Sequence, residues 1–314
     1  MKSRSLIAVI SAGALAIGVA ACGNSDDSSS NGGSAVSGAI AIDGSSTVYP
    51  FTQAAAEQFQ TENPDARVTV GESGTGGGFE KFCKGETDIS NASRPIKDEE
   101  IEMCKTRGIE FSEVQVANDG IAVATNKNLE IACMTTDQLK QLWNSKSTVK
   151  KFSDLDPKFP NSEVSLYGPG TDSGTFDFFT DVINGEEGDT RKDYQPSEDD
   201  NVLVEGVSGD EGGLGYFGFS YYEANADKLN LVAVDGGDGC VTASKETIQD
   251  GSYKPLSRPL FMYVSNKGIA KPQVKAFMDA TIAGQETIAA NAQIVPLTAE
   301  QATQAQADLT KAES

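Results

Sequence analysis

Apolar and polar positions in this chain change period several times, and each change marks an element. Ala39 to Asp43 alternates as a strand, a polar turn follows, and Phe51, Ala55 and Phe59 then recur at helical spacing between Pro50 and Gln60. Val68 and Val70 alternate in a second strand, Arg67 to Gly71, which runs into a glycine-rich turn. Glu113 to Val116 and Gly120 to Thr125 read as two strands interrupted by Ala117-Asn118-Asp119. Thr135 to Trp143 is an amphipathic helix with Thr135 and Thr136 as candidate caps. Further strands are predicted at 164–167, 215–219, 229–234 and 260–264, and closing helices at 272–283 and 299–309. Strand, turn and helix in repeated order predict an α/β architecture with its ligand at the carboxyl ends of the strands.

The turns between these elements share a chemistry. Gly44-Ser-Ser-Thr-Val-Tyr-Pro50, Glu72-Ser-Gly-Thr-Gly-Gly-Gly78 and Thr171-Asp-Ser-Gly-Thr175 each precede a predicted helix, the latter two opening helices at 79–83 and 176–183. A fourth, Asn91-Ala-Ser-Arg-Pro95, adds a guanidinium ahead of the stretch 97–103. The start of a helix leaves backbone N–H groups unpaired and carries partial positive charge. Glycine lets an anion approach that backbone, and Ser or Thr hydroxyls add donors. A single such turn is ordinary capping. Several in one chain, with Arg94 beside one of them, predict convergence on a small tetrahedral oxyanion.

Other motifs carry less. Gly213-Leu-Gly-Tyr-Phe-Gly218 fits a dinucleotide fingerprint literally, but the stretch itself reads as a strand in close backbone packing. There is no phosphate-binding P-loop motif and no G-x-S-x-G elbow, so Ser73 and Ser173 lack the setting of a nucleophile. The chain has no histidine, which removes the commonest general base. Glu198-Asp-Asp-Asn201 lacks the spacing of a calcium loop and reads as solvated.

Composition sets the compartment. Lys2 and Arg4 precede an apolar run, Leu6 to Ala20, too short for a comfortable membrane span, so residues 1–21 read as a signal peptide. Val19-Ala-Ala-Cys22 matches a bacterial lipobox, with cleavage before Cys22 and lipid on its sulfur. Residues 22–38, rich in Ser, Gly, Asp and Asn, then form a flexible tether. The expected location is the extracytoplasmic face of the cell membrane, with the lipid anchor as the only membrane contact. Of five cysteines, Cys22 takes the lipid, and the remaining four, Cys83, Cys104, Cys133 and Cys240, favour two disulfides in an oxidising compartment. Three pairings are possible. Cys83 with Cys104 would stiffen the Arg94 segment, leaving Cys133 with Cys240. With no histidine and no C-x-x-C, no metal site is expected, nor any cofactor. A formal net charge of −21 excludes nucleic acid as a partner. It does not exclude an anionic ligand, because charges more than a Debye length (~8 Å at physiological salt) from a buried site are largely screened.

These segments together resemble the phosphate-binding proteins of bacterial ABC-type phosphate importers, across nearly the whole mature length. The resemblance is carried by residues 43–50, 71–78, Thr87-Asp-Ile-Ser-Asn-Ala-Ser-Arg-Pro95, 168–175 and Pro255-Leu-Ser-Arg-Pro-Leu260, in that order. It implies the class II periplasmic-binding-protein fold, two α/β lobes joined by a two-strand hinge and closing on ligand. Lobe one would be residues 39–118 plus 257–314, and lobe two 119–256, so that each favoured cysteine pair lies within one lobe. The implied function is a lipid-anchored, monomeric receptor, not an enzyme, that hands inorganic phosphate to the transmembrane subunits of a permease. Alternatives are a receptor for another oxyanion such as sulfate, or an enzyme acting on phosphate esters. Carried over by position, Thr47 would bind through its hydroxyl, Val48 through its N–H, and Ser173, Gly174 and Thr175 through hydroxyls and the helix start. The second turn offers Ser73 or Thr75. Two departures stand out: the family's proton-accepting Asp falls on Ser93, and its Arg falls on Pro169. Arg94 is then the expected cation, with Arg191 or Arg258 next, and Asp172 or Glu72 the expected acceptor of the ligand's proton. Asp172 has the competing role of capping the following helix.

Overall fold

The computed structural model describes residues 36–312. The signal peptide, Cys22 and the tether as far as residue 35 lie outside the described residues. Among the described residues, no helix is long and apolar enough to cross a membrane.

The chain begins with β1 (Gly38–Gly44), α1 (Tyr49–Glu62), β2 (Ala66–Val70), α2 (Gly74–Cys83), β3 (Ile89–Ala92), α3 (Asp98–Thr106) and β4 (Phe111–Asn126). It continues with β5 (Cys133–Thr135), α4 (Thr136–Trp143), β6 (Ser165–Pro169), α5 (Gly174–Phe179), β7 (Gln195–Ser197) and α6 (Asp200–Gly209). Next are β8 (Gly213–Gly218), α7 (Phe219–Ala224), β9 (Leu229–Asp235), β10 (Cys240–Val241) and α8 (Lys245–Gln249). The return strand β11 (Ser257–Ser265) leads to α9 (Asn266–Ile269), α10 (Pro272–Ala283), α11 (Gln285–Asn291) and α12 (Ala299–Ala312). The strands lie in the order β2-β1-β3-β11-β4-β8-β6-β7, with β9 also paired to β4 and carrying β5 and β10.

Two lobes follow from how β4 is shared. Its first part, to Gly120, pairs antiparallel with β11, while Ile121–Asn126 pairs with β8 and β9. On one side, β1 runs parallel to β2 and β3, and β3 meets β11 antiparallel. Ile40, Ile42, Phe51 and Phe59 are buried there against Phe277 and Met278, with Phe59 and Phe277 edge to face at 5.5 Å. On the other side, Trp143, Phe179 and Tyr216 form the heart of a separate core, the latter two rings stacked at 3.7 Å. Each lobe therefore holds its own shape, and β4 and β11 connect them.

Local sequence explains most boundaries. Pro50 sits in the first turn of α1, where its missing N–H is no loss. Thr135 caps α4 by accepting from Gln138 N at 3.1 Å, and the Gln138 side chain returns the bond to Thr135 N. β8 is a strand, as the pattern of the glycine motif at 213–218 indicated. Asp199, from the acidic run at 198–201, caps α6 by accepting from Asn201 N.

Three expectations are corrected. The glycine-rich turn at 74–78 is not a turn before a helix at 79 but the first part of α2 itself. Helix α2 lies so close on the sheet that a Cβ at Gly78 would stand 2.5 Å from Gly44 Cα, so packing selects glycine in spite of its poor helix propensity. The break at Ala117-Asn118-Asp119 is absent, because β4 runs on through it. Register slips where Leu260 faces Ala117 and Phe261 faces Gln115, a bulge that leaves Val116 as the extra residue. Helix α5 is shorter than the stretch 176–183 suggested. It starts at Gly174 and passes into a π-helical turn, Thr180–Asn184.

The disulfides are Cys83–Cys104, joining α2 to α3, and Cys133–Cys240, joining β5 to β10. Each lies inside one lobe.

Candidate functional site

The carboxyl end of β1 turns through Ser45, Ser46 and Thr47 into α1, held by Ser45 N donating to Asn91 O at 3.0 Å. The carboxyl end of β6 turns through Ser173 into α5. These two turns, one from each lobe, meet at Gly174. A Cβ there would lie 2.3 Å from Thr47 Oγ1 and 2.5 Å from Ser46 Oγ. Cavities open on either side of this contact, of about 630 and about 360 Å³, and both are lined by Ser46, Thr47 and Gly174.

The contact is bridged by Arg258 on β11. Its Nη2 donates to Thr47 Oγ1 at 2.7 Å and to Gly174 O at 3.1 Å, while Nε donates to Asp119 Oδ2 at 3.1 Å. Asp119 is its register partner across β4, so the pair stands where the connecting strands run side by side. The guanidinium carbon lies 3.9 Å from the centre of the Phe178 ring. Burial pushes the Arg258 pKa down and the Asp119 carboxylate opposes it. The side chain is only 10% exposed, so its charge acts in a poorly screened setting.

The larger cavity gathers most of the expected residues. Thr47, Ser73, Thr75, Ser93, Arg94 and Gly174 all line it. Thr75 Oγ1 and Ser93 Oγ are 3.2 Å apart, and Ser93 N donates to Thr75 Oγ1 at 3.3 Å. Ser73 reaches the cavity, but its hydroxyl donates to Asp43, which also takes Lys81 Nζ at 2.6 Å. Arg94 lines the wall with its fork already filled: Nη1 and Nη2 each donate to Glu100 at 2.8 Å. That bidentate pair raises the Arg94 pKa and directs the guanidinium toward α3.

Other expected residues fall elsewhere. Val48 buries its side chain in the core of the first lobe. Ser173 and Thr175 line the smaller cavity, as do Asp172 and Glu72, both exposed. Asp172 is not the cap of α5: Ser173 fills that position, accepting from Thr175 N at 3.2 Å. Arg191 is far from this chemistry, bound to Asp193 and to the Leu142 and Val149 carbonyls.

Two charged residues stand out that turn chemistry alone did not single out as primary. Arg258 lies inside the segment 255–260, but nothing local in the sequence marks it as buried beside Thr47. Asp177 is three residues after Gly174, a spacing that places both on one helix face, and it lines the larger cavity. Burial, and then the Glu187 charge, push its pKa up to about 6, with Arg258 opposing.

Asp200, at the smaller cavity, is likewise pushed up to about 6, first by burial and then by Asp119, Asp199 and Glu198, while the Gly218 N–H opposes. A raised carboxyl pKa favours the fold only when protonated. The contribution is full below the ordinary value of 3.8 and is lost as pH rises through about 6. Asp200→Asn keeps an oxygen for Gly218 N and removes the charge. Chemical denaturation is expected to find it about 1–3 kcal/mol more stable at neutral pH and equal to the parent near pH 4. Equal stability at both would refute the burial argument.

A cleft between two α/β lobes, rich in hydroxyl donors and bridged by a buried guanidinium, defines a two-lobed ligand-binding protein. Residues 29–283 match the family model described as a PBP superfamily domain. The chain is 45% identical over 264 residues to Protein SphX of Synechococcus elongatus, covering 83% of this chain and 78% of that one. It is 42% identical over 269 residues to the phosphate-binding protein PstS of Staphylococcus saprophyticus, covering 85% and 81%. The crystal structure of a possible phosphate binding protein from Planctomyces limnophilus superposes with a TM-score of 0.84 at 41% identity, covering 89% of this chain and 100% of that one. The chain belongs to the PBP superfamily and, with these relatives, to its phosphate-binding protein family.

Proposed function

We propose that this protein is the extracytoplasmic receptor of an ABC-type importer, that it takes inorganic phosphate between its lobes, and that it delivers it to the permease. The observation that carries the reading is Arg258, a buried cation held where a hydroxyl turn of one lobe meets the α5 turn of the other. A tetrahedral dianion at this junction receives charge from Arg258 and neutral donors from Thr47, the Val48 N–H, Thr75, Ser93 and the Ser173-Gly174-Thr175 turn. Ser73 and Arg94 shape the wall through Asp43 and Glu100. The cation role, first expected of Arg94, moves to Arg258 because the Arg94 fork is committed to Glu100. The family relationship supports the same ligand.

In this reading residues 39–118 plus 257–314 form one lobe and 119–256 the other, hinged on β4 and β11. Cys22 carries the lipid that anchors a monomer to the outer face of the membrane. The protein binds and releases without chemistry. Isothermal titration with phosphate, sulfate and a phosphomonoester is the test. Phosphate is expected to bind in the micromolar range or tighter, and the ester to be neither bound nor hydrolysed. No heat with phosphate, or turnover of the ester, would overturn the proposal.

A further inference from the structure

We infer that Phe178 is a positioning residue for the ligand: its ring seats the Arg258 guanidinium so that a single amino group, Nη1, is presented to the anion. This rests on the phosphate reading above.

Helix α5 carries three phenylalanines, Phe176, Phe178 and Phe179. The first and last are three residues apart, share a face, and are buried at 2% and 0% exposure. Phe178 turns another way. It is only partly buried, it lines the larger cavity, and it follows Gly174 by four residues, so the two stand a turn apart on one face of the helix. That face grips Arg258 twice. Gly174 O accepts from Nη2 at 3.1 Å, and the guanidinium carbon sits over the Phe178 ring, 3.9 Å from its centre. Because Nη2 also donates to Thr47 Oγ1 of the first lobe, the whole arrangement requires the two turns to be in contact.

The bonds already made show which part of the fork is left. Nε donates to Asp119, and Nη2 gives one proton to Thr47 and the other to Gly174 O. Nη1 carries two N–H groups, and among the described residues it has no hydrogen-bond partner. Arg258 lines the larger cavity, where the anion is received. A guanidinium donates in its own plane, and its faces carry no donor. An aromatic ring suits such a face: its negative π surface attracts the cation and keeps water away without competing for any N–H. With one face covered and the other donors bound, the charge is directed through Nη1. Arg94 makes the contrast. It too sits over a ring, Phe79, at a longer 5.7 Å, but Glu100 engages both of its amino groups.

The test is calorimetric titration with inorganic phosphate of the parent and of Phe178→Leu, Phe178→Tyr and Phe178→Trp. Leucine keeps an apolar side chain and loses the π surface, whereas tyrosine and tryptophan keep it. Phe178→Leu is expected to weaken phosphate binding roughly tenfold, and at least one of the two ring variants to stay within about twofold of the parent. Thermal unfolding of the ligand-free proteins is expected to give nearly equal midpoints, since the Phe176 and Phe179 side of α5 is untouched. Parental affinity in Phe178→Leu would overturn the assignment. So would an equal loss in all three variants, which would make the position one of packing alone. A parent that binds no phosphate at all would instead remove the receptor reading itself.

Discussion

Arg258→Gln is expected to reduce phosphate affinity by roughly 100- to 1,000-fold, the largest loss at any single side chain of the cleft. Truncating one partner of a buried, hydrogen-bonded charge pair typically costs about 2–5 kcal/mol, and each 1.4 kcal/mol is about tenfold in affinity. Glutamine cannot supply the charge, and it cannot hold Thr47, Gly174 and Asp119 together as the guanidinium does. The same change leaves the Asp119 carboxylate buried and unpaired, which lowers stability as well. The two effects separate in the double variant Asp119→Asn/Arg258→Gln, expected to recover stability but not binding. Arg94→Gln should cost less than tenfold in affinity, because its partner is Glu100 and not the ligand. A larger loss at Arg94 than at Arg258 would return the cation role to Arg94.

Gly174→Ala is expected to abolish tight binding while leaving the unfolding midpoint nearly unchanged. The added carbon would stand 2.3 Å from Thr47 Oγ1, 2.5 Å from Ser46 Oγ and 2.9 Å from Thr47 N, closer than packed atoms approach. Relief requires the two turns to separate, which also breaks the reach of Arg258 to Thr47. Since each lobe has its own core, the strain falls on closure and not on folding. Small-angle scattering should then detect contraction with phosphate in the parent and none in the variant. Gly76→Ala is the control. It lines the same cavity, yet a Cβ there meets nothing within 4 Å, so affinity should hold. Contraction of Gly174→Ala on adding phosphate would show that the turns do not need to touch.

Local pattern made much of this molecule legible. Hydrophobic period located β1, α1, β2 and α10 to within a few residues, and cap chemistry located the start of α4, because these features depend on neighbours in sequence. The parity of the cysteines, joined to the family resemblance, favoured the pairs the structure contains. What failed were features fixed by distant partners. The sequence Ala117-Asn118-Asp119 reads as a break, yet β11 pairs across it and keeps the strand whole. Gly74 to Gly78 reads as a turn, but it is the first part of α2, and at Gly78 the close approach of Gly44 leaves no room for a side chain. The same holds at the site. Hydroxyl turns announce themselves by composition, whereas the cation does not. Arg94 sits beside a serine in sequence and was the natural choice, but Glu100, six residues on, claims it. Arg258 is 211 positions from the Thr47 it touches, and only the fold brings them together.

The interleaved strand order also fixes when each half of the molecule can be finished as the chain is made and exported. The segment from the second part of β4 to Leu256 is continuous, so the lobe it builds, with its disulfide, has nearly all of its core once that stretch has crossed, and only Val295 joins it later. The other lobe begins at β1 but takes β11 beside β3, and takes Phe277 and Met278 into its core, from the last part of the chain. The half that emerges first is therefore the half that must wait. Of its first three strands, β3 remains short of a neighbour through some 165 residues, from Ala92 at its end to Ser257 at the start of β11. The Cys83–Cys104 bond is a covalent tie available to that half in the interval, since both sulfurs arrive well before β11 does.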